Sequence, residues 1–164
     1  MQKNTKLFVV LLAVTSLSAM GCGGKYPAVS GKITANGEPV ANVRVVFTPV
    51  AVGNNYTPGP WSKGVSDENG IYTLKTRYDE SGAVAGPHKV GFEWDDIEFD
   101  SMGVLKDELA EAKGDAAKTA AAQKGIDDLK QKIQSRPKLD FNTVIEVEIP
   151  TEGTDSANFE LDTR

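Results

Sequence analysis

The sequence predicts an all-β sandwich of seven short strands with a helical insertion before the C-terminal strands. Two observations support the strands: apolar and polar residues alternate in short runs, and turn-forming residues separate those runs. A third supports the insertion, because residues 104–135 are rich in Ala, Lys, Glu, Asp and Gln, which favour helix. The chain should therefore bury one β core and carry one helical segment.

Each predicted strand is a run of alternating apolar and polar residues bounded by turn-forming residues. Asn36-Gly37 is a tight-turn pair because both residues tolerate positive φ, and residues 67–70 (Asp-Glu-Asn-Gly) predict a second hairpin turn. The predicted strands cover residues 29–34, 43–49, 61–66, 71–76, 88–94, 141–149 and 157–162. Tyr72 and Leu74 are expected to face inward.

The helical insertion is placed at about residues 103–135. Its apolar positions form two stripes at helical spacing, Leu105, Leu109, Ala112 and Ala116 in one and Ile126, Leu129 and Ile133 in the other. Gly114 and Gly125 interrupt the run, which favours two helical pieces over one long helix. Docking on the sandwich of the same chain is the favoured interpretation, and pairing with another helix, from itself or a partner, is the alternative.

Composition limits the classes of function. The chain has 164 residues and a formal net charge of −5, and its sequence shows no basic patch, which argues against a nucleic-acid partner. A single cysteine excludes an internal disulfide and the zinc or iron–sulfur sites that need several thiolates.

The first 21 residues have the layout of a secretory signal. Lys3 and Lys6 precede an apolar stretch too short to span a bilayer, and the small residues Ala19 and Gly21 precede Cys22. The segment resembles a bacterial lipoprotein signal, in which cleavage leaves the cysteine as a lipid-bearing N-terminus. An ordinary secreted protein with a spare thiol is the alternative.

The lipoprotein resemblance implies a cellular location and a lipid anchor. Residues 1–21 would be removed, Cys22 would carry palmitate and other acyl chains, and residues 22–27 would be a glycine-rich tether. Gly23, rather than Asp, follows the cysteine, which in that family points to the outer membrane. The mature chain would hold 16 Lys and Arg against 23 Asp and Glu.

Three stretches together resemble a second family. Residues 29–45, 64–74 and 82–90 follow one another in the order and spacing of carboxypeptidase regulatory-like domains. The resemblance implies a transthyretin-like, broadly immunoglobulin-like, sandwich over residues 28–164. It also implies a non-catalytic folding and spacing module, although fold alone does not establish function.

The sequence offers little chemistry. His88 is the only histidine, and neither a Gly-x-Ser-x-Gly elbow, a phosphate loop nor a His-Glu-x-x-His helix is present. We therefore predict no enzymatic activity, catalytic residue, metal or cofactor, with His88 in a structural or surface role. Five acids, Glu93, Asp95, Asp96, Glu98 and Asp100, could hold calcium, but a solvated acidic strand end is favoured.

The predicted function is that of a membrane-anchored envelope lipoprotein acting as a structural or macromolecule-binding module. The membrane is its first expected partner, through Cys22, and another envelope protein or a glycan is the second. Glycan or peptide binding through Trp61 and Tyr56, in or beside a Gly/Pro-rich loop, is one alternative. An accessory subunit of an envelope peptidase or hydrolase is the other.

Overall fold

A computed structural model describes residues 25–54, 57–95 and 97–164. Within those residues the chain forms nine strands and two helices. The strands are β1 (Ser30–Ala35), β2 (Glu38–Pro39), β3 (Val43–Pro49), β4 (Ser62–Val65), β5 (Ile71–Thr73), β6 (Lys75–Thr76), β7 (Gly86–Trp94), β8 (Ile145–Ile149) and β9 (Phe159–Glu160). The helices are α1 (Ile97–Glu111) and α2 (Ala116–Gln134).

The strands form two sheets. The larger is antiparallel, in the order β6-β4-β3-β7-β8, and its longest ladder joins all seven residues of β3 to β7. In the smaller sheet β1 lies between β2 and β5 and also pairs with β9, the only parallel partner among the named strands described.

One hydrophobic core lies between the two sheets. Phe47 and Phe92 of the larger sheet contact Phe159 of the smaller one edge-on, with ring centroids 6.0 and 5.1 Å apart. The core is built from alternate residues of the long strands, as expected for strands with one buried face. The mostly β fold is therefore confirmed, and the arrangement is compatible with a sandwich. We call this two-sheet part the β body.

The first predicted hairpin is confirmed. Asn36 and Gly37 have φ of 53° and 78° and join β1 to β2, with Thr34 opposite Pro39. Positive φ at both central residues is the geometry that matches the twist of two paired strands.

The second hairpin was wrongly predicted. The turn at residues 67–70 joins β4 to β5, which belong to different sheets, so it crosses the core instead of closing a ladder. The predicted strand at 71–76 also divides: β5 pairs with β1, and β6 pairs with β4. Tyr72, Leu74 and Thr76 all stay buried through the change of sheet, which is why their alternation looked like that of one strand.

The last two predicted strands are shorter than expected. Only Ile145–Ile149 and Phe159–Glu160 join ladders, although Phe141 packs on the core edge beside Trp94 and Leu161 is buried. Alternation marks burial on one face, and burial does not require a hydrogen-bonded neighbour at every residue.

The two helical pieces are confirmed as an antiparallel hairpin, although α1 begins at Ile97, before the predicted start at 103. Gly114 occupies the corner with φ of 94°, and the Asp115 side chain caps α2 by accepting from the backbone N–H groups of Ala117 and Lys118. Ala112 and Ile126 are buried between the helices, whereas Ala116, assigned to the stripe, is exposed. Neither described helix has the length and apolarity needed to cross a bilayer.

The hairpin does not dock along the β body as favoured above. Among the described elements, α1 and α2 pack on each other, and neither packs comparably on a strand. The helices leave the β body after Trp94 at one end of β7, and the chain returns where Leu139 bridges to Thr163. The hairpin is therefore a projection joined to the β body at its foot.

The first described residues, 25–27, lie at the opposite end of the β body. Lys25 forms an ion pair with Glu80, and Pro27 accepts a backbone hydrogen bond from Ala83, close to where β7 begins at Gly86. The nine residues of β7 separate this end from the hairpin foot, a distance of about 26 Å at the usual strand rise.

Candidate functional site

The most distinctive exposed surface lies on the outer face of the larger sheet at its β6 edge. Exposed cations and large apolar side chains alternate there along β4 and beyond β6. We call this the basic-aromatic surface, and its members are Trp61, Lys63, Val65, Lys75, Arg77 and Tyr78.

Strand alternation places these side chains outward. Ser62 and Gly64 face the core, so Lys63 and Val65 face solvent, and Thr76 faces inward while Lys75 faces out. A backbone hydrogen bond from Arg77 to the Trp61 carbonyl, 3.0 Å long, continues the pairing beyond the ladder. The residues therefore form a continuous surface although they come from two separate segments.

The cations lie over or beside the rings. Lys63 Nζ is 5.9 Å from the Trp61 ring centroid, and the Arg77 guanidinium carbon is 5.1 Å from that of Tyr78, both within cation–π range. Trp61, Val65 and Tyr78 are 37%, 38% and 61% exposed. A shallow cleft of about 420 Å³ is lined by Trp61, Arg77 and residues of β4 and β6.

Two lysines face each other across the ladder. Lys63 is directly opposite Lys75, and both point outward. Like charges directly opposite each other destabilise an antiparallel pair. An ion pair with Asp79 at 2.9 Å offsets part of the Lys75 charge, but the Asp79 side chain is 84% exposed, so solvent weakens this pair. The arrangement holds positive charge where folding alone would favour neutral or opposite charges.

Trp61 was predictable from the sequence, but its basic neighbours were not. No basic patch is visible in the sequence because the three cations are 2 to 14 residues apart in the chain and come together only through pairing of β4 with β6. Outward alternation at positions 61, 63 and 65 was the available signal. Tyr56, the other predicted ligand-binding residue, and Cys22 lie outside the described residues.

A second polar cluster forms the foot of the hairpin. Glu98 of α1 is almost fully buried and pairs with Arg136 and with Lys132 at 3.1 Å, while Asn42 donates to it at 3.3 Å. Arg136 also lies over Trp94, 4.8 Å from the ring centroid. Burial opposes ionisation of Glu98, but the Lys132 hydrogen bond and the Arg136 charge outweigh it, and the pKa of Glu98 is lowered.

The predicted solvated acidic strand end is therefore wrong for two of its members. Asp95 is buried against Arg44, as Glu98 is against Arg136, whereas Glu93 and Asp100 are exposed. Asp96 lies outside the described residues. Cations from β3 and from the end of the helical segment enclose these carboxylates, so the cluster fastens the helices to the β body.

His88 is a core residue. Its ring is fully buried 6.0 Å from that of Phe47, with Nδ1 2.9 Å from the Gly86 carbonyl oxygen. Burial lowers the pKa of His88 below its usual 6.5. A histidine in this position is inaccessible to a substrate, which corresponds to the structural role assigned to it.

The described ranges bring no three His, Cys, Asp or Glu side chains together in a metal-binding arrangement. Within them, the arrangement of highest chemical interest is the basic-aromatic surface, which suits planar or anionic groups.

Comparison with known proteins gives no match: no family model, curated protein or solved structure is significantly similar to this chain.

Proposed function

We propose that this protein is an exported lipoprotein, anchored by lipid on Cys22 to the cell envelope, whose β body presents the helical hairpin to a macromolecular partner. The β body is proposed to be transthyretin-like, in keeping with the carboxypeptidase regulatory-like resemblance. The role is structural or binding, without catalysis.

One observation carries the proposal: the hairpin projects from the end of the β body opposite residues 25–27. An N-terminal anchor would therefore leave the hairpin foot about 26 Å along β7 from the anchored end of the β body. Ile97 and Val104, seven residues apart on one face of α1, are 58% and 59% exposed. Exposed apolar residues on a projecting element are typical of protein-contact surfaces.

The proposed absence of catalysis has separate support. His88 is enclosed by the core, and the buried carboxylates Asp95 and Glu98 are neutralised by arginine. These groups hold the fold and present no free base or nucleophile to a substrate.

The decisive experiment is cross-linking in intact envelopes followed by affinity capture, comparing wild type with a variant in which a short linker replaces residues 97–136. We expect the deletion to remove the captured partner. Thermal denaturation supplies the control, because the β body has its own hydrophobic core and should still unfold in one cooperative transition after the deletion. A partner captured equally by the deletion variant would refute the hairpin as binding element, and an N-terminal peptide without acyl mass would refute the anchor.

Glycan binding at Trp61 is a second candidate, favoured by the half-exposed indole beside a cleft of about 420 Å³. Stacking on indole would hold a sugar ring, and Trp61→Ala should then reduce retention on cell-wall glycans at least tenfold. Equal retention of the variant would exclude this candidate. The accessory-subunit alternative would be supported by a peptidase or hydrolase in the captured fraction.

A further inference from the structure

We propose that the basic-aromatic surface docks on anionic lipid headgroups of the membrane that carries the anchor, and so fixes how the β body stands on that membrane. This inference rests on the proposed lipid anchoring at Cys22. It adds a second, protein-made contact and a defined orientation.

The basic-aromatic surface lies near the point where the proposed anchor would join the β body. Lys25 pairs with Glu80, and Glu80 accepts a backbone hydrogen bond from Thr76, the last residue of β6. Arg77 and Tyr78 lie between these two residues in the chain. Cys22 is three residues before Lys25, so chain length keeps an anchor there within about 10 Å of the Lys25 backbone, whose side chain reaches this turn. The bilayer surface and the basic-aromatic surface would therefore be neighbours.

The positive charge of this surface favours an anionic partner. In the part of the chain that the structure describes, Lys75 pairs with Asp79, Lys25 pairs with Glu80, and no ion pair neutralises Lys63 or Arg77. The remainder of the chain is strongly acidic. An anionic surface relieves the Lys63–Lys75 repulsion, whereas a neutral glycan leaves it in place.

The exposed aromatic rings of this surface also favour contact with a bilayer. Indole and phenol side chains prefer the headgroup level of a bilayer, where an apolar body and a polar edge are both satisfied. Trp61, Val65 and Tyr78 are exposed among the cations, a combination characteristic of interfacial contact.

The β8 edge of the larger sheet determines how the β body tilts on the membrane. Glu146 and Glu148 point outward from β8, and Glu152 follows in the adjoining loop. An anionic membrane repels this edge and attracts the β6 edge. The β body should therefore lean on β4 and β6, which raises β8 from the surface.

Fluorescence quenching tests the inference directly, because the two tryptophans lie at opposite ends of the β body. The mature lipidated chain is reconstituted in vesicles containing brominated phosphatidylglycerol. Trp94→Phe leaves Trp61 as reporter, and Trp61→Phe leaves Trp94. We expect Trp61 emission to fall at least twofold and to shift to the blue, with Trp94 emission unchanged.

Charge variants sharpen the test. Replacing Lys63, Lys75 and Arg77 by Gln should restore most Trp61 emission, since each cation near an anionic surface contributes about a fivefold preference. Replacing the exposed hairpin lysines Lys106, Lys113 and Lys118 by Gln removes the same charge and should change nothing.

The outcomes separate the two proposals. Acyl mass on Cys22 with unquenched Trp61 overturns the docking surface and leaves the anchor standing. Absence of acyl mass overturns the anchor, and the docking inference with it. Trp61 unquenched by lipid but altered by heparin, a soluble anionic polysaccharide, would overturn membrane docking in favour of a glycan ligand.

Discussion

Single buried polar residues decide how this chain responds to pH. His88 sits in the core with a lowered pKa, so the unfolded chain binds a proton more readily than the folded chain. Stability that depends on the neutral imidazole is complete above pH 6.5 and is lost as pH falls from there toward the folded-state pKa. Glu98 acts in a lower window, because its pKa is already below 4.5 when folded.

The His88 effect is measurable by urea denaturation. We expect the free energy of unfolding to fall as pH is lowered from about 7.5 to 5.5, and His88→Leu to remove most of that slope. The variant's stability at the higher pH reports the packing change separately. An unchanged slope in His88→Leu would assign the pH dependence to other groups.

The Glu98 ion pairs give a second residue-scale prediction. Glu98→Gln leaves Arg136, itself 11% exposed, without its carboxylate, which should cost about 3 kcal/mol in chemical denaturation and loosen the hairpin foot. Asp128→Asn is the matched control on the same hairpin, because its pair with Lys124 is exposed and should contribute little to stability. Equal effects of the two variants would contradict the fastening role.

At the scale of elements, two glycines of the hairpin should respond to alanine in opposite directions. Gly103 lies in α1 with open space where a Cβ would be added, so Gly103→Ala should stabilise the hairpin by about 0.5–1 kcal/mol. Gly114 has positive φ at the corner, so Gly114→Ala should destabilise it by about 1 kcal/mol. Hydrogen exchange of hairpin amides measures both, and a shared sign would contradict the assigned corner.

Elements governed by local chemistry were predictable. Asn36-Gly37 specifies its own turn, residues 43–49 alternate between clear stop signals, and Gly114 separates two helix-forming runs. Elements governed by distant partners were not. The strand at 71–76 changes sheet because β5 meets β1 while β6 meets β4, and sequence alternation records only which side is buried.

The candidate site follows the same division. Trp61 was identifiable from its loop, but its cationic neighbours converge only after β4 and β6 pair. The burial of Asp95 and Glu98 was missed because their partners, Arg44 and Arg136, are 51 and 38 residues away. A cluster of acids resembles a solvated surface until the positions of the arginines are known.

At the scale of the whole molecule, the first and last described strands are fastened together. Phe159 pairs with Ile33 and contacts three other aromatic rings, and the Tyr72 hydroxyl donates to the Ala157 carbonyl at 2.5 Å. Phe159→Ala should therefore cost about 4 kcal/mol in chemical denaturation. Ile97→Ala, at an exposed apolar position, should cost less than about 1 kcal/mol and serves as the comparison. Similar losses would contradict the central place of the final strand.

This closure also bears on the order in which the elements of the β body assemble. β1 gains its parallel neighbour β9 only when Ile33 and Phe159, 126 residues apart in the chain, come together. Closing a loop of that length has an entropic cost that precedes the packing it permits. We therefore expect the pairing of β1 with β9 to be among the last steps in ordering the smaller sheet.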